Sequence, residues 1–283
     1  MPINILCIGD LVGRAGRCVL AEHLPRLIAQ HKLELVVCNA ENAAGGSGIT
    51  PQIVQKLLGW GVDVITLGDH VFRKREIIQV LETSDRVIRP ANLANTAAGK
   101  RFTVVPTKSQ QYQVAVACLL GQLYIGAYDS PWAAADKLMN DIPSEVRLRV
   151  IDFHAEASSE KVGMGWFLNG RTTAVFGTHT HTPTADARVL DKGTAFISDV
   201  GMTGPYDSVL GRRKDRVLAA LSSSMPYHFE VALGDPRLSA VLISADPSTG
   251  RALAIERIEL RGEPITGGPY DRDDARPQGA GFK

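Results

Sequence analysis

Five short apolar runs in this chain each stop abruptly at side chains that bind metals or move protons. Ile3 to Ile8 ends in Gly9-Asp10, Leu33 to Cys38 in Asn39-Ala40-Glu41-Asn42, and Val62 to Leu67 in Gly68-Asp69-His70. Leu148 to Ile151 ends in Asp152-Phe153-His154, and Thr173 to Phe176 in Gly177-Thr178-His179-Thr180-His181. Short runs rich in Val, Ile and Leu read as buried strands. In open α/β sheets ligands bind beyond the carboxyl ends of the strands, so five strands ending this way converge on one crevice.

The segments between the runs supply the rest of an α/β fold. Val19, Leu20, Leu24, Leu27 and Ile28 give the stretch from Gly16 to His31 helical spacing. Thr50-Pro51 opens a second helix, to Leu58, with an N-cap and a first-turn proline, and Gly59-Trp60-Gly61 stops it. Arg73 to Leu81 makes a third. Strand and helix alternating in this way give parallel strands with right-handed crossovers.

Then the character changes. Phe102 to Val105 and Gln113 to Cys118 read as adjacent strands, followed by a helix from Pro131 to Met139. Further strands are expected at Ala195 to Ser198, Tyr227 to Ala232, Ser239 to Ala245 and Ala252 to Leu260. Turns at Gly234-Asp235-Pro236-Arg237 and Pro247-Ser248-Thr249-Gly250 make the last three an antiparallel meander. Two sheets with helices outside is the simplest assembly. No internal linker or repeat divides residues 1–261, which are expected to form one domain. From Gly262 to Lys283, Gly, Pro and charge replace periodic apolar residues, the composition of a flexible tail.

With 31 basic and 30 acidic residues and no long run of one sign, the chain lacks the field for strong duplex nucleic-acid or membrane binding. Cys7, Cys18, Cys38 and Cys118 are scattered without metal spacing, and Cys7 and Cys38 fall inside buried strands. Buried thiols, with no signal peptide or apolar run of membrane length, point to the cytoplasm. Homo-oligomerisation is left open.

The strand ends together present Asp10, Glu41, Asn42, Asp69, His70, His154, His179 and His181. Such mixed oxygen and nitrogen donors exceed what one ion needs and suit two, such as manganese, iron or zinc. Two ions about 3.5 to 4 Å apart can clamp a phosphate and activate a water. Taken singly the residues are less telling: Asp10 alone is more often a turn residue or cap, and His154 alone is seldom a ligand. His179 and His181 carry more weight, because alternate residues of a strand face one side. His23, His31 and His228 read as surface or packing residues, and Asp152 as either a residue orienting a ligand histidine or a backbone cap. Gly9, Gly13 and Gly16 lack the spacing of a dinucleotide loop. Thr203 to Asp207, with Arg212, Arg213 and Lys214, reads equally as a substrate-side loop, where Tyr206 could stack on a base, or as an ordinary solvated one.

The sequence resembles the calcineurin-like metallophosphoesterases, and within them the YmdB-like branch. The resemblance is carried by Ile-Gly-Asp-Leu-Val-Gly (8–13), Asn-Ala-Glu-Asn-Ala-Ala (39–44), Arg-Pro-Ala-Asn (89–92), Asp-Phe-His-Ala-Glu-Ala (152–157), Gly-Thr-His-Thr-His (177–181) and Asp-Val-Gly-Met-Thr-Gly-Pro-Tyr-Asp (199–207). It implies a four-layer α/β/β/α sandwich with a dinuclear site of iron, manganese or zinc. By that resemblance Asp10, Asn42 and His181 hold one metal, Asp69, His154 and His179 the other, Glu41 bridges, and His70 is the general acid. The implied activity is phosphodiester hydrolysis, with small esters such as 2′,3′-cyclic nucleotides as substrates. A phosphomonoesterase or nucleotidase on the same site, and a metal-bound regulatory binding protein, are the alternatives.

Two positions depart from pattern. Most of the superfamily opens with Asp-x-His, whereas Asp10-Leu11-Val12 lacks that histidine and Asn42 looks like its replacement. The family also has Asn before the acid histidine, where this chain has Asp69. With two divalent ions, the carboxylates of Asp10, Glu41 and Asp69 leave the site at about +1, where Asn would leave roughly +2. A less positive site attracts phosphate less and raises the pKa of bound water, or favours a trivalent ion.

Overall fold

The computed structural model describes residues 1–274, which build four layers in the order helix, sheet, sheet, helix. The first part of the chain, β1 (Ile3–Ile8), α1 (Gly13–His31), β2 (Leu33–Asn39), α2 (Pro51–Trp60), β3 (Val64–Thr66), α3 (Ile77–Thr83) and β4 (Val87–Ile88), lays down four parallel strands. The next part makes a separate sheet from β5 (Phe102–Pro106), β6 (Gln113–Leu120), β7 (Leu148–His154), β8 (Ala174–Thr178), β9 (Arg188–Val189) and β10 (Ala195–Ile197), with α4 (Pro131–Asp141) and α5 (Ser158–Phe167) between its strands. Its order is β5-β6-β7-β8-β10-β9, parallel from β6 through β10. The chain then returns to the first sheet with β11 (Gly204–Pro205), α6 (Lys214–Ser223), β12 (Pro236–Ala245) and β13 (Ala252–Arg261), where β12 pairs antiparallel with β1.

Strand alternation sorts the apolar residues into the layers. Leu6 and Ile8 of β1 pack with Leu20, Leu24 and Ile53 under the first helices, whereas Ile5 and Cys7 face Val116, Val150 and Phe176 of the other sheet. Ile151 and Phe153 of β7 turn outward to Leu138 and Met164 on α4 and α5. The caps follow the sequence: Thr50 accepts from the Ile53 N–H at 3.4 Å with Pro51 in the first turn, and Gly61 closes α2 at φ 108°. All four cysteines are free, three of them buried.

The expected strand at Tyr227 to Ala232 does not form. Only Val231 makes a ladder contact, an isolated bridge to Arg212, and Tyr227 and Phe229 are exposed. The edge of β12 that such a strand needs is taken by β1 and β11, so the meander reduces to the β12–β13 hairpin. Helices α5 and α6 escaped the sequence reading, and α3 starts at Ile77 rather than Arg73 because residues 69–76 turn around the crevice.

Residues 262–274, within the stretch read as a flexible tail, run back over the loop after β2. Arg17, buried in α1, pairs with Asp274 at 2.8 Å and Asp271 at 3.0 Å, and also donates to the Ala43 carbonyl. Asp274 accepts from the Gly45 N–H at 2.8 Å, the Asp273 carbonyl accepts from Thr50 Oγ1 at 3.0 Å, and the Asp273 carboxylate pairs with Lys56. The rest of that stretch lies outside the described residues.

Because Ile5 is fully buried between the sheets, Ile5→Ala is expected to cost about 2–5 kcal/mol in urea unfolding. Leu253→Ala, on the exposed face of β13, should stay within about 0.5 kcal/mol.

Candidate metal centre

The carboxyl ends of β1, β2, β3, β7 and β8 meet at one place, as the sequence requires. Asp10 follows β1, Glu41 and Asn42 follow β2, Asp69 and His70 follow β3, His154 ends β7, and His179 and His181 follow β8. The approach is close enough to need glycine: a Cβ on Gly68 would lie 2.3 Å from Glu41 Oε2 and 2.4 Å from His154 Nε2.

His179 and His181 do not share a strand face. β8 stops at Thr178, and the two histidines have left-handed backbones at φ 99° and 63°. Side chains disfavour that region, so the surroundings must hold them there. Asp10 Oδ2 accepts the His179 N–H at 2.9 Å, and Asp199 Oδ2 accepts from both N and Oγ1 of Thr180 at 3.1 and 2.7 Å. Asp199 is fixed in turn by the buried ammonium of Lys161, 2.5 Å away.

One set of ligand atoms consists of Glu41, Asp69, His154 and His179, all within 4.8 Å of one another. His154 Nε2 lies 3.2 Å from Glu41 Oε1, 3.1 Å from Asp69 Oδ1 and 3.1 Å from His179 Nδ1. A tetrahedral ion with bonds of about 2.1 Å keeps its ligands roughly 3.4 Å apart, so these separations suit a metal. Beside it, His181 Nε2 sits 3.2 Å from Asn42 Nδ2 and 3.9 Å from Asp10 Oδ1, and Asn42 Nδ2 is 3.3 Å from Glu41 Oε1. This second group is looser, and its Asn42 amide turns the nitrogen to His181 and Glu41 and the ligand-type oxygen to His70. Asp10 Oδ1 is buried and has no hydrogen-bond partner among the described residues, an orphan acceptor that a cation would satisfy.

Each of these imidazoles is tethered at its outer nitrogen. His154 Nδ1 lies 2.8 Å from Thr178 Oγ1, which itself donates to Asp152 Oδ1 at 2.7 Å. His179 Nε2 meets Glu156 at 3.1 Å, and His181 Nδ1 meets the Leu210 carbonyl at 3.0 Å. An acceptor at one ring nitrogen fixes the proton there and leaves the other lone pair for a metal. Glu156 and Thr178 were within the quoted motifs but carried no assignment, since neither residue type announces itself as the support of a ligand.

The site demands positive charge. Burial lowers the tendency of His154 to ionise, but Glu41, Asp69 and Asp10 outweigh it and hold the imidazole well above its ordinary pKa. Asp69 answers in kind: burial raises its pKa, while His154 and His179 pull it well below the usual carboxylate range. A metal cation can supply the charge that a proton otherwise supplies here. Asp152 stands apart as the buried support, pushed up to about 6 by burial, with His154 and the donors Thr66, Thr178 and Asn39 working in the opposite direction.

His70 occupies the rim. Its backbone N–H donates to Glu41 Oε2 at 2.8 Å, its Nδ1 lies 2.7 Å from Asn42 Oδ1, and its side chain is 26% exposed where His154 is fully buried. All eight residues singled out in the sequence are therefore brought together. His23, His31 and His228 are not among them; His23 instead meets the Arg261 carbonyl at 2.9 Å.

A four-layer sandwich with acidic and imidazole groups at the ends of its central strands is the calcineurin-like metallophosphoesterase fold. Within that class the model of the YmdB-like proteins matches residues 6–258, and the chain belongs to this family. It is 42% identical over 256 residues to a 2′,3′-cyclic-nucleotide 2′-phosphodiesterase of Bacillus subtilis, covering 90% of this chain and 96% of that protein. A solved structure of a novel phosphatase from Mycoplasma pneumoniae superposes with a TM-score of 0.86 at 31% identity, over 92% of this chain and 94% of that one. A hypothetical protein from Thermus thermophilus does so at 0.86 and 33% identity, over 92% and 100%.

Thr178→Val removes the link between Asp152 and His154 at nearly constant volume. Its metal affinity, followed by competition with a chelating dye, should fall about 10- to 100-fold.

Proposed function

We propose that the chain is a metal-dependent phosphodiesterase acting on small diesters, 2′,3′-cyclic nucleotides among them. The observation that carries this reading is the convergence of three outwardly tethered imidazoles with Asp10, Glu41 and Asp69 on one small volume. Asp69, His154 and His179 would hold one ion, Asp10, Asn42 and His181 a second, and Glu41 would lie between them. Iron or manganese suits such a mixed donor set, and zinc is the third choice. Bound ions would stabilise charge developing on phosphoryl oxygens and lower the pKa of a water.

The chain's own residues do the remainder. Asp152, Thr178 and Glu156 keep the imidazoles oriented, and the bonds to Asp10 and Asp199 keep the His179–His181 loop in place. His70, partly exposed and in contact with Asn42, is placed to give a proton to a departing alkoxide. Asp69 makes the centre less positive than the family Asn would. The B. subtilis relative, named for cyclic-nucleotide hydrolysis, supports the choice of substrate. Four unpaired thiols support a cytoplasmic setting.

His70→Ala is expected to lower turnover by about 10²- to 10⁴-fold with metal content intact; loss of metal would make it a ligand instead. Asp69→Ala should lose metal in elemental analysis, and unchanged content together with unchanged turnover would remove Asp69 from the site. Bis-nitrophenyl phosphate should be cleaved in preference to nitrophenyl phosphate, and the reverse order would favour a phosphomonoesterase.

A further inference from the structure

A cavity of about 300 Å³ is walled by Gly45, Lys74, Arg212, Phe229, Tyr270 and Asp274 among others. Three of the segments that build the centre also build this cavity. Gly45 follows Asn42 by three residues, Lys74 follows His70 by four, and Arg212 follows Leu210, the anchor of His181, by two. A trans chain advances at most ~3.6 Å per residue, so Gly45 and Lys74 lie within roughly 11 and 14 Å of Asn42 and His70, which brings the near wall of the cavity close to the centre.

The walls are aromatic and cationic. Tyr270 lies against Gly45, where a Cβ would come within 3.0 Å of its ring, and Phe229 is 40% exposed although its carbonyl is held by Arg212. Arg212 also donates to the Gly45 and Gly46 carbonyls, which fixes a guanidinium in the same cavity wall. Tyr270 is kept there by the acidic segment that follows it, through Arg17 and the Gly45 N–H. Rings and a guanidinium around a small cavity form a platform for an aromatic base, which stacks on such groups with little regard to sequence.

We propose that this cavity takes the base of a nucleotide whose phosphate lies on the metal centre, with Tyr270 and Phe229 as the stacking surfaces. The proposal rests on the phosphodiesterase reading for the place of the phosphate, and the C-terminal segment thereby becomes part of the substrate site. It also accounts for the exposure of Phe229 in a segment that joins no sheet.

Calorimetric titration of the full, metal-loaded chain with adenosine 3′-monophosphate and with ribose 5-phosphate tests the pocket without turnover. The base-bearing ligand should bind about tenfold more tightly, and Tyr270→Ala and Phe229→Ala should each erase most of that difference. Equal affinity in the unaltered protein, or a preference that survives both substitutions, overturns the proposal. In parallel, both variants should lower kcat/KM for 2′,3′-cyclic AMP relative to base-free ribose 2′,3′-cyclic phosphate. An equal fall on both esters would make the rings structural and overturn it too. Base-dependent binding that both variants abolish, in a protein that cleaves no diester, would uphold the pocket and sink the phosphodiesterase reading.

Discussion

The carboxylate of Asp152 joins the two sheets at the end where the chemistry lies. It belongs to β7, yet it accepts from Thr66 of β3 at 2.5 Å and Asn39 of β2 at 2.9 Å across the interface, and from Thr178 of β8 at 2.7 Å. Most of the interface between the sheets is made of apolar side chains, which are non-directional and fix no register. Hydrogen bonds are directional, and a fully buried carboxylate with three donors is costly to displace. Together with the bond from the His179 N–H to Asp10, this carboxylate sets the distance between the two groups of site residues.

The remaining constraints are local and act against the preferences of the chain. His179 and His181 hold backbones that a glycine would adopt more easily, and Asp10, Asp199 and Lys161 keep them there. The buried pair of Lys161 and Asp199 is isolated from water, so neither partner can be lost without leaving a bare charge. Strain concentrated at these two histidines is in keeping with a centre whose loop geometry is settled before anything binds.

Much of this was legible in the sequence. Apolar runs ending in acid or imidazole residues gave away both the parallel strands and the site, because the carboxyl edge is where such a sheet must place its chemistry. The helix cap at Thr50-Pro51 was equally plain. Tyr227, Phe229 and Val231 alternate like a strand, but pairing depends on a free edge, and local spacing carries no information about which edges are filled. The acidic residues after Tyr270 look like solvated tail until Arg17, some 250 residues earlier, is seen beside them. Glu156 and Thr178 act through histidines, so their residue types alone gave no sign of it.

The division of the site between the sheets bears on how the protein is made. Of the site residues, Asp10, Glu41, Asn42, Asp69 and His70 come from the first sheet, and His154, His179 and His181 from the second. More than a hundred residues separate Asp69 from His179. The first sheet, moreover, receives β12 beside β1 only after the second has been synthesised. A growing chain thus exposes Asp10, Glu41 and Asp69 long before it can offer His154, His179 and His181, and the long closures between them are slow to form. A metal held by these residues would accordingly be captured late, after β7, β8 and β12 have been synthesised.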